Sequence, residues 1–265
     1  MNYFQPNDLN SALDVLQNNS DLTIAAGCTD LFPITNNMSL DKNILDITNI
    51  KSIKGFQFNS KETKIGSATT WTDIINENLP SCYDMLKACA KEVGSIQIQN
   101  LGTIGGNICN ASPAADSIPC LLALDAKLEL SSANNQRIIP IDEFILGSRK
   151  TKLEQDEILT SIIIPKEKEK GSSAFRKIGA RKYLVISISM VACRILISDN
   201  VIEDIAISIL SILDLLLNIS LGYLIGIPSS VLPFRKGESS TKNRIFVVSS
   251  VCKEEAILDP AVPAP

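Results

Sequence analysis

The sequence predicts an α+β chain made of small subdomains, and three observations predict it. Short β-branched and aliphatic runs alternate with stretches of helical periodicity over residues 1–165, and a charged segment ending in Gly-Ser-Ser then breaks the pattern. No G-x-G-x-x-G lies between a strand and a helix, which sets aside the doubly wound dinucleotide-binding fold. The chain has 265 residues, 45% of them hydrophobic, enough for one large domain or for two to three subdomains with their own cores.

The elements follow in order. Asn7 or Asp8 caps a first helix carrying Leu9, Ala12, Leu13 and Leu16 at helical spacing. Leu22 to Ala26 reads as a short buried strand running into the small-residue turn Gly27-Cys28-Thr29-Asp30, and Asn43 to Ile47 reads as another strand. Ile53 to Phe58 and Thr63 to Ser67 make a hairpin around Asn59-Ser60-Lys61-Glu62. Thr70 caps a helix from Trp71 to about Asn78, and a second helix runs from Ser81 to Val93, closed by Gly94. After a glycine-rich loop, Ala115 to Leu124 is helical, with Pro119 shortening or bending it. Lys127 to Ser131 and Arg137 to Pro140 are strands around Asn134-Asn135, and Glu157 to Pro165 is a further strand. Lys166 to Ser173 is the candidate linker, after which Ala174 to Ile178 and Val185 to Ile197 resume strand patterns. Ile205 to Leu232 carries one charge, Asp214, over a length that would suit a membrane span, but Asn218, serines, glycines and Pro228 interrupt it, so a buried segment is the preferred reading.

Composition excludes several function classes. The net charge of −4 offers no basic face for a nucleic acid. Histidine is absent, which removes His-dependent triads, His general bases and His metal sites from this chain. The seven cysteines, Cys28, Cys82, Cys89, Cys109, Cys120, Cys193 and Cys252, form no C-x-x-C pair, so no zinc or iron–sulfur site is expected and no metal ligands are assigned. They read as thiols in a reducing compartment; with the polar opening MNYFQPNDLN, this gives a cytoplasmic expectation.

The most informative stretch is Gln97 to Pro119, QIQNLGTIGGNICNASPAADSIP. Gly102, Gly105 and Gly106 lack the bulk that would keep a ligand from the backbone, and glycine dihedrals can present successive N–H groups to one point. Asn107, Asn110, Ser112 and Asp116 could then hold sugar hydroxyls, which points to a nucleotide cofactor. An ordinary tight turn is the competing reading for any single glycine pair, and Asp116 could equally cap the helix after it.

Four segments in order resemble one family. NLGTIGGNICNASPAADSIPCLLALDA is similar to the flavin loop N-x-G-T-I-G-G-N-x-x-x-A-S-P-x-x-D of the FAD-binding medium subunits of molybdenum hydroxylases, the family of xanthine, nicotinate and carbon monoxide dehydrogenases. IAAGCTDL resembles its A-G-G-T-D-L turn, IGSATTWTDI a following strand and helix, and FRKIGARKYLVISIS the K-x-x-x-R-x-x-x-x-I-S stretch opening its C-terminal part. The resemblance covers residues 1–197.

The resemblance implies a PCMH-type fold: two N-terminal α/β subdomains within 1–165, split near 50–60, forming an FAD clamp, plus a C-terminal α/β subdomain over 174–265. It implies that Ala26, Gly27, Cys28, Thr29 and Asp30 cradle the FAD pyrophosphate from one side, and Thr103, Ile104, Gly105, Gly106 and Asn107 from the other. Asp116 would accept hydrogen bonds from cofactor hydroxyls, with Ser112 beside it. Lys177 would stand near the flavin and favour its anionic reduced form, with a solvated strand lysine as the alternative. Leu159 would line the flavin pocket, though plain core packing is the stronger reading. Cys28 stands where the family often has glycine, and Gln99 replaces a usual arginine. The implied function is electron transfer through non-covalent FAD, from two [2Fe-2S] clusters in a small subunit, fed by a molybdenum cofactor in a large subunit, to NAD+ or another acceptor. A free-standing FAD oxidoreductase and a flavin-free assembly remnant are the alternatives.

Overall fold

The computed structural model describes residues 2–19, 21–31, 42–181 and 186–211, and the backbone of a strand at 243–249. Strands β1 (Tyr3–Phe4), β2 (Leu22–Ala25) and β3 (Asn43–Asp46) form a parallel sheet in the order β1-β3-β2, and helix α1 (Leu9–Gln17) connects the first two. Asp8 caps α1, its Oδ1 accepting from Ser11 N at 2.9 Å. Ala12, Leu13 and Leu16 form the buried face of α1, packed with Leu45, Ile47, Ile50 and Ile53. Each such aliphatic side chain contributes about 1.5–3 kcal/mol by leaving water.

The second unit is an antiparallel five-stranded sheet in the order β4-β5-β10-β6-β7, made of β4 (Phe56–Phe58), β5 (Glu62–Gly66), β6 (Lys127–Ser131), β7 (Gln136–Pro140) and β10 (Ile158–Pro165). Central β10 reads ILTSIIIP and is buried at every position except its terminal proline, as a strand covered on both faces must be. Five helices lie between β5 and β6: α2 (Trp71–Asn76), α3 (Asp84–Glu92), α4 (Ile96–Leu101), α5 (Ile104–Asn110) and α6 (Ser117–Ala123). Helix α6 is buried along its whole length. After β7 come α7 (Ile141–Phe144) and a small hairpin of β8 (Ile145–Gly147) and β9 (Lys150–Thr151).

The third sheet has the order β11-β12-β13-β14, from β11 (Ser172–Gly179), β12 (Ser187–Ser198), β13 (Val201–Ser211) and β14 (Asn243–Ser249). It packs on α3 and α6: Phe175, Met190, Ala192, Ala206 and Leu210 share one core with Met85, Leu86, Cys89, Cys120 and Leu121.

The structure differs from the sequence expectations in three places. The stretch expected as a loop before residue 115 contains α4 and α5. Thr103 Oγ1 accepts from Gly106 N at 3.1 Å and so caps α5, while Ile104 and Ile108, one turn apart, bury its inner face. The segment expected as a linker is pinned: Lys166 N donates to Lys61 O at 2.8 Å, and Lys168 Nζ lies 3.1 Å from Asp125 and 3.5 Å from Asp204. Of the apolar run from Ile205, only the part to Ser211 is described, as β13; the rest lies outside the described residues, among which no helix is long and apolar enough to cross a membrane.

Candidate functional site

The first glycine turn follows β2 directly. A Cβ on Gly27 would stand 1.8 Å from Leu101 O and 2.9 Å from Gly102 Cα, so the absence of a side chain is what lets the turn touch the chain before α5. Cys28 follows with φ +57°, the left-handed conformation that glycine takes without penalty. The glycine usual in the resembling family thus has a backbone reason, and this chain carries the strain in its place. Burial pushes the Cys28 thiol up, away from the reactive thiolate.

The second glycine pair is set from behind. A Cβ on Gly105 would meet Ser67 Cβ and O at 2.6 Å, and Gly105 N donates to Ser67 O at 2.8 Å. Ile104 N donates to Thr69 O at 3.0 Å, Gly106 N to Thr103 Oγ1, and Asn107 N to Thr103 O at 3.1 Å. The amides of residues 104–107, expected to face a phosphate, already donate within the chain, because α5 begins at this point. Gly106 is exposed, and a Cβ there would meet only Thr103 Oγ1, at 3.0 Å. Asn107 Oδ1 accepts from Ser117 Oγ at 2.6 Å.

Asp116 does not cap α6 with its side chain. It stands at the start of α6; its Oδ2 receives Lys177 Nζ at 2.7 Å and its Oδ1 receives Ser187 Oγ at 2.5 Å. Both members of the ion pair are buried, with 6% and 7% of their side chains exposed, so Lys177 is not a solvated strand lysine. Burial raises the Asp116 carboxyl above its ordinary value, outweighing the pull of Lys177 and Ser187. Lys177 also donates to Glu92 O at 3.3 Å, at the end of α3.

Ser112 makes a local turn, its Oγ accepting from Ala114 N at 3.2 Å. Leu159 is core, buried in one cluster with Ile104 and Ile108 behind α5. Among the described residues, Cys120 donates to Met85 O at 3.5 Å, and burial pushes the Cys109 thiol up to about 12, so both are packing groups.

Most expected residues thus form one connected line: the turn 26–30 against Leu101–Gly102, then Thr103–Asn107, then Ser117 and Asp116, then Lys177 and Ser187. That line crosses all three sheets' territories. None of these residues lines the cavity of about 560 Å³ beside Asp125 and Lys127 or that of about 170 Å³ beside Lys64 and Glu129. Sequence reasoning did not single out Arg149, at the β8–β9 turn, whose guanidinium reaches both Asp30 and Asn110. Gly147 marks a turn there, but nothing local indicates the long-range pairing.

Comparison with known proteins places the chain in a family. Residues 1–167 match the family described as the FAD binding domain in molybdopterin dehydrogenase. The chain is 35% identical over 189 residues to the xanthine dehydrogenase FAD-binding subunit of Escherichia coli O157:H7, covering 70% of this chain and 65% of that protein. It is 35% identical over 195 residues, with the same shares covered, to the nicotinate dehydrogenase FAD-subunit of Eubacterium barkeri. The match therefore spans about two thirds of these relatives. Among solved structures, a carbon monoxide dehydrogenase from Hydrogenophaga pseudoflava superposes with a TM-score of 0.71 at 26% identity, over 79% of this chain and 74% of that one.

Proposed function

The chain belongs to the family of FAD-binding domains of molybdopterin dehydrogenases, and from that premise we propose that it is the FAD-carrying electron-transfer subunit of a molybdenum hydroxylase. The observation that carries the reading is the close packing of the first glycine turn, at Gly27, on the backbone of Leu101–Gly102 directly before α5, with Gly106 exposed in the first turn of that helix.

The residues suit an extended dinucleotide. Gly106 presents a bare Cα where a side chain would otherwise stand in the ligand's way. Asn107, whose Oδ1 is taken by Ser117, keeps its amide donors for a phosphate or hydroxyl. With the amides of residues 104–107 engaged, the donors to the pyrophosphate come from the first turn, Ala26 to Asp30, and from the Thr103 and Asn107 side chains. Lys177, compensated by Asp116, acts on the ring region as one end of a neutral ion pair, and the pair carries a net positive charge only when Asp116 takes a proton.

Bound FAD would supply the redox chemistry, for which this chain's own residues offer no substitute. The protein binds it, orients it and sets the charge around it. Substrate oxidation at molybdenum and relay through [2Fe-2S] clusters belong to a large and a small partner subunit, and NAD+ is the proposed acceptor.

The test is the visible spectrum of the chain purified with its co-purifying subunits, followed by release of the chromophore. Stoichiometric FAD with added iron–sulfur absorbance is expected. A colourless protein that takes up no FAD overturns the reading.

A further inference from the structure

We propose that Arg149 is a positioning residue: it latches the first glycine turn to the end of α5, and through that latch sets how tightly a dinucleotide is held. The consequence for affinity rests on the FAD reading above; the latch itself does not.

Asp30 lies in the turn after the first sheet, Asn110 is the last residue of α5 in the second unit, and Arg149 sits at the tip of the β8–β9 hairpin. One guanidinium nitrogen, Nη1, donates to Asp30 Oδ2 at 3.2 Å and to Asn110 Oδ1 at 2.7 Å. The backbone makes a third tie, with Arg149 N donating to Ala111 O at 2.7 Å. Arg149 and Ala111 both hold positive φ, +52° and +42°. Left-handed backbone at non-glycine residues persists only where the surroundings impose it. Here two such residues are bonded to each other, at the point where the hairpin meets α5.

The charge has a second consequence. Asp30 puts a carboxylate into a turn meant to receive anionic phosphates. Arg149 neutralises that charge while holding the turn, so it acts through Asp30 rather than on the ligand. A direct phosphate ligand would depend on Asp30 in the opposite sense, because removing the competing carboxylate would free it.

The experiment uses the full chain and the variants Arg149→Met, Asp30→Asn and the double variant. Hydrogen exchange over residues 26–30 of the FAD-free protein reads the latch, and quenching of flavin fluorescence reads FAD affinity. Faster exchange in both single variants is expected, with an affinity loss of about five-fold in each, the upper end for a half-exposed ion pair. The double variant is expected to be no worse than Arg149→Met, because both changes remove one contact. Arg149→Lys, which keeps the charge and a nitrogen donor on a shorter side chain, should recover part of the affinity. Unchanged exchange overturns the latch. So does an Asp30→Asn variant that binds FAD as well as or better than the parent, or a double variant whose loss is the product of the two. A parent chain that binds no FAD overturns the FAD reading instead, and exchange still decides the latch.

Discussion

Cys28 is the clearest case of a residue whose identity and backbone disagree. Its φ of +57° suits glycine, and an L-residue there pays about 1–2 kcal/mol. Glycine's greater freedom in the unfolded chain offsets much of that. Cys28→Gly should therefore change stability by less than ~1 kcal/mol in urea denaturation, whereas Cys28→Val, branched at Cβ, should cost about 2 kcal/mol. Gly27→Ala is a different case. Its Cβ would meet a backbone oxygen that cannot swing aside, so ~3 kcal/mol of lost stability is expected in the same assay. Lys177→Met leaves Asp116 charged and buried without its partner, and should cost about 3–5 kcal/mol at neutral pH. The deficit should shrink as pH falls. Burial already holds Asp116 above its ordinary value of 3.8, so the folded protein keeps this proton to higher pH than the unfolded chain does. Its contribution to stability is complete at low pH and is lost as pH rises through that window. Thermal melts of parent and variant from acid to neutral pH would show a constant difference if this account were wrong.

At the scale of elements, local chemistry wrote most boundaries. Thr70 and Asp73 form a reciprocal capping box at the start of α2, and the sequence showed Thr70 as the cap; Thr70→Ala should cost about 1 kcal/mol. The hairpin of β6 and β7 around Asn134-Asn135 and the buried run of β10 were equally legible, because turn residues and unbroken apolar runs are local signals. The glycine stretch was not. Three glycines argue against helix on propensity, but Gly105 and Gly106 fall in the first turn of α5, where propensity matters least and the Thr103 cap and the burial of Ile104 and Ile108 decide. Arg137 and Glu157 join β7 to the approach to β10 through two bonds, at 2.6 and 2.8 Å. Burial works against the Glu157 carboxylate, but these bonds and Glu154 N outweigh it and hold its pKa below the ordinary 4.5. That contribution is present above the ordinary value and lost as pH falls through the lower folded one. Glu157→Gln should flatten the acid limb of the stability profile.

At the scale of the whole molecule, buried charge fastens the third sheet to the rest. Arg194, 1% exposed, donates from Nε to Ala123 O at 3.0 Å and from Nη2 to Asp204 Oδ2 at 2.9 Å, and Lys168 Nζ lies 3.5 Å from the same oxygen. Asp204→Asn would strand the guanidinium, and a loss of about 3–5 kcal/mol is expected in thermal or urea unfolding. A loss below about 1 kcal/mol would show that this fastening is not where the sheet is held. The connected line from Gly27 to Ser187 exists only because this sheet is docked, since Lys177 and Ser187 belong to it while Asp116 belongs to α6's approach.

The sequence by itself determined the α+β class, most of the longer elements up to β12 and the order of four motifs that mark the family, because caps, turns and periodicity act over a few residues. Only the tertiary structure decided what those residues do. It gave Asp116 to Lys177 and Ser187, sent Leu159 into the core, engaged the amides of 104–107, and brought Arg149 to Asp30. The contacts of Asp116 and Arg149 with Lys177, Ser187 and Asp30 reach across more than sixty positions, the Ile104 and Gly105 amides reach back to Thr69 and Ser67, and Leu159 depends on which face its strand buries; none of these is encoded in local spacing.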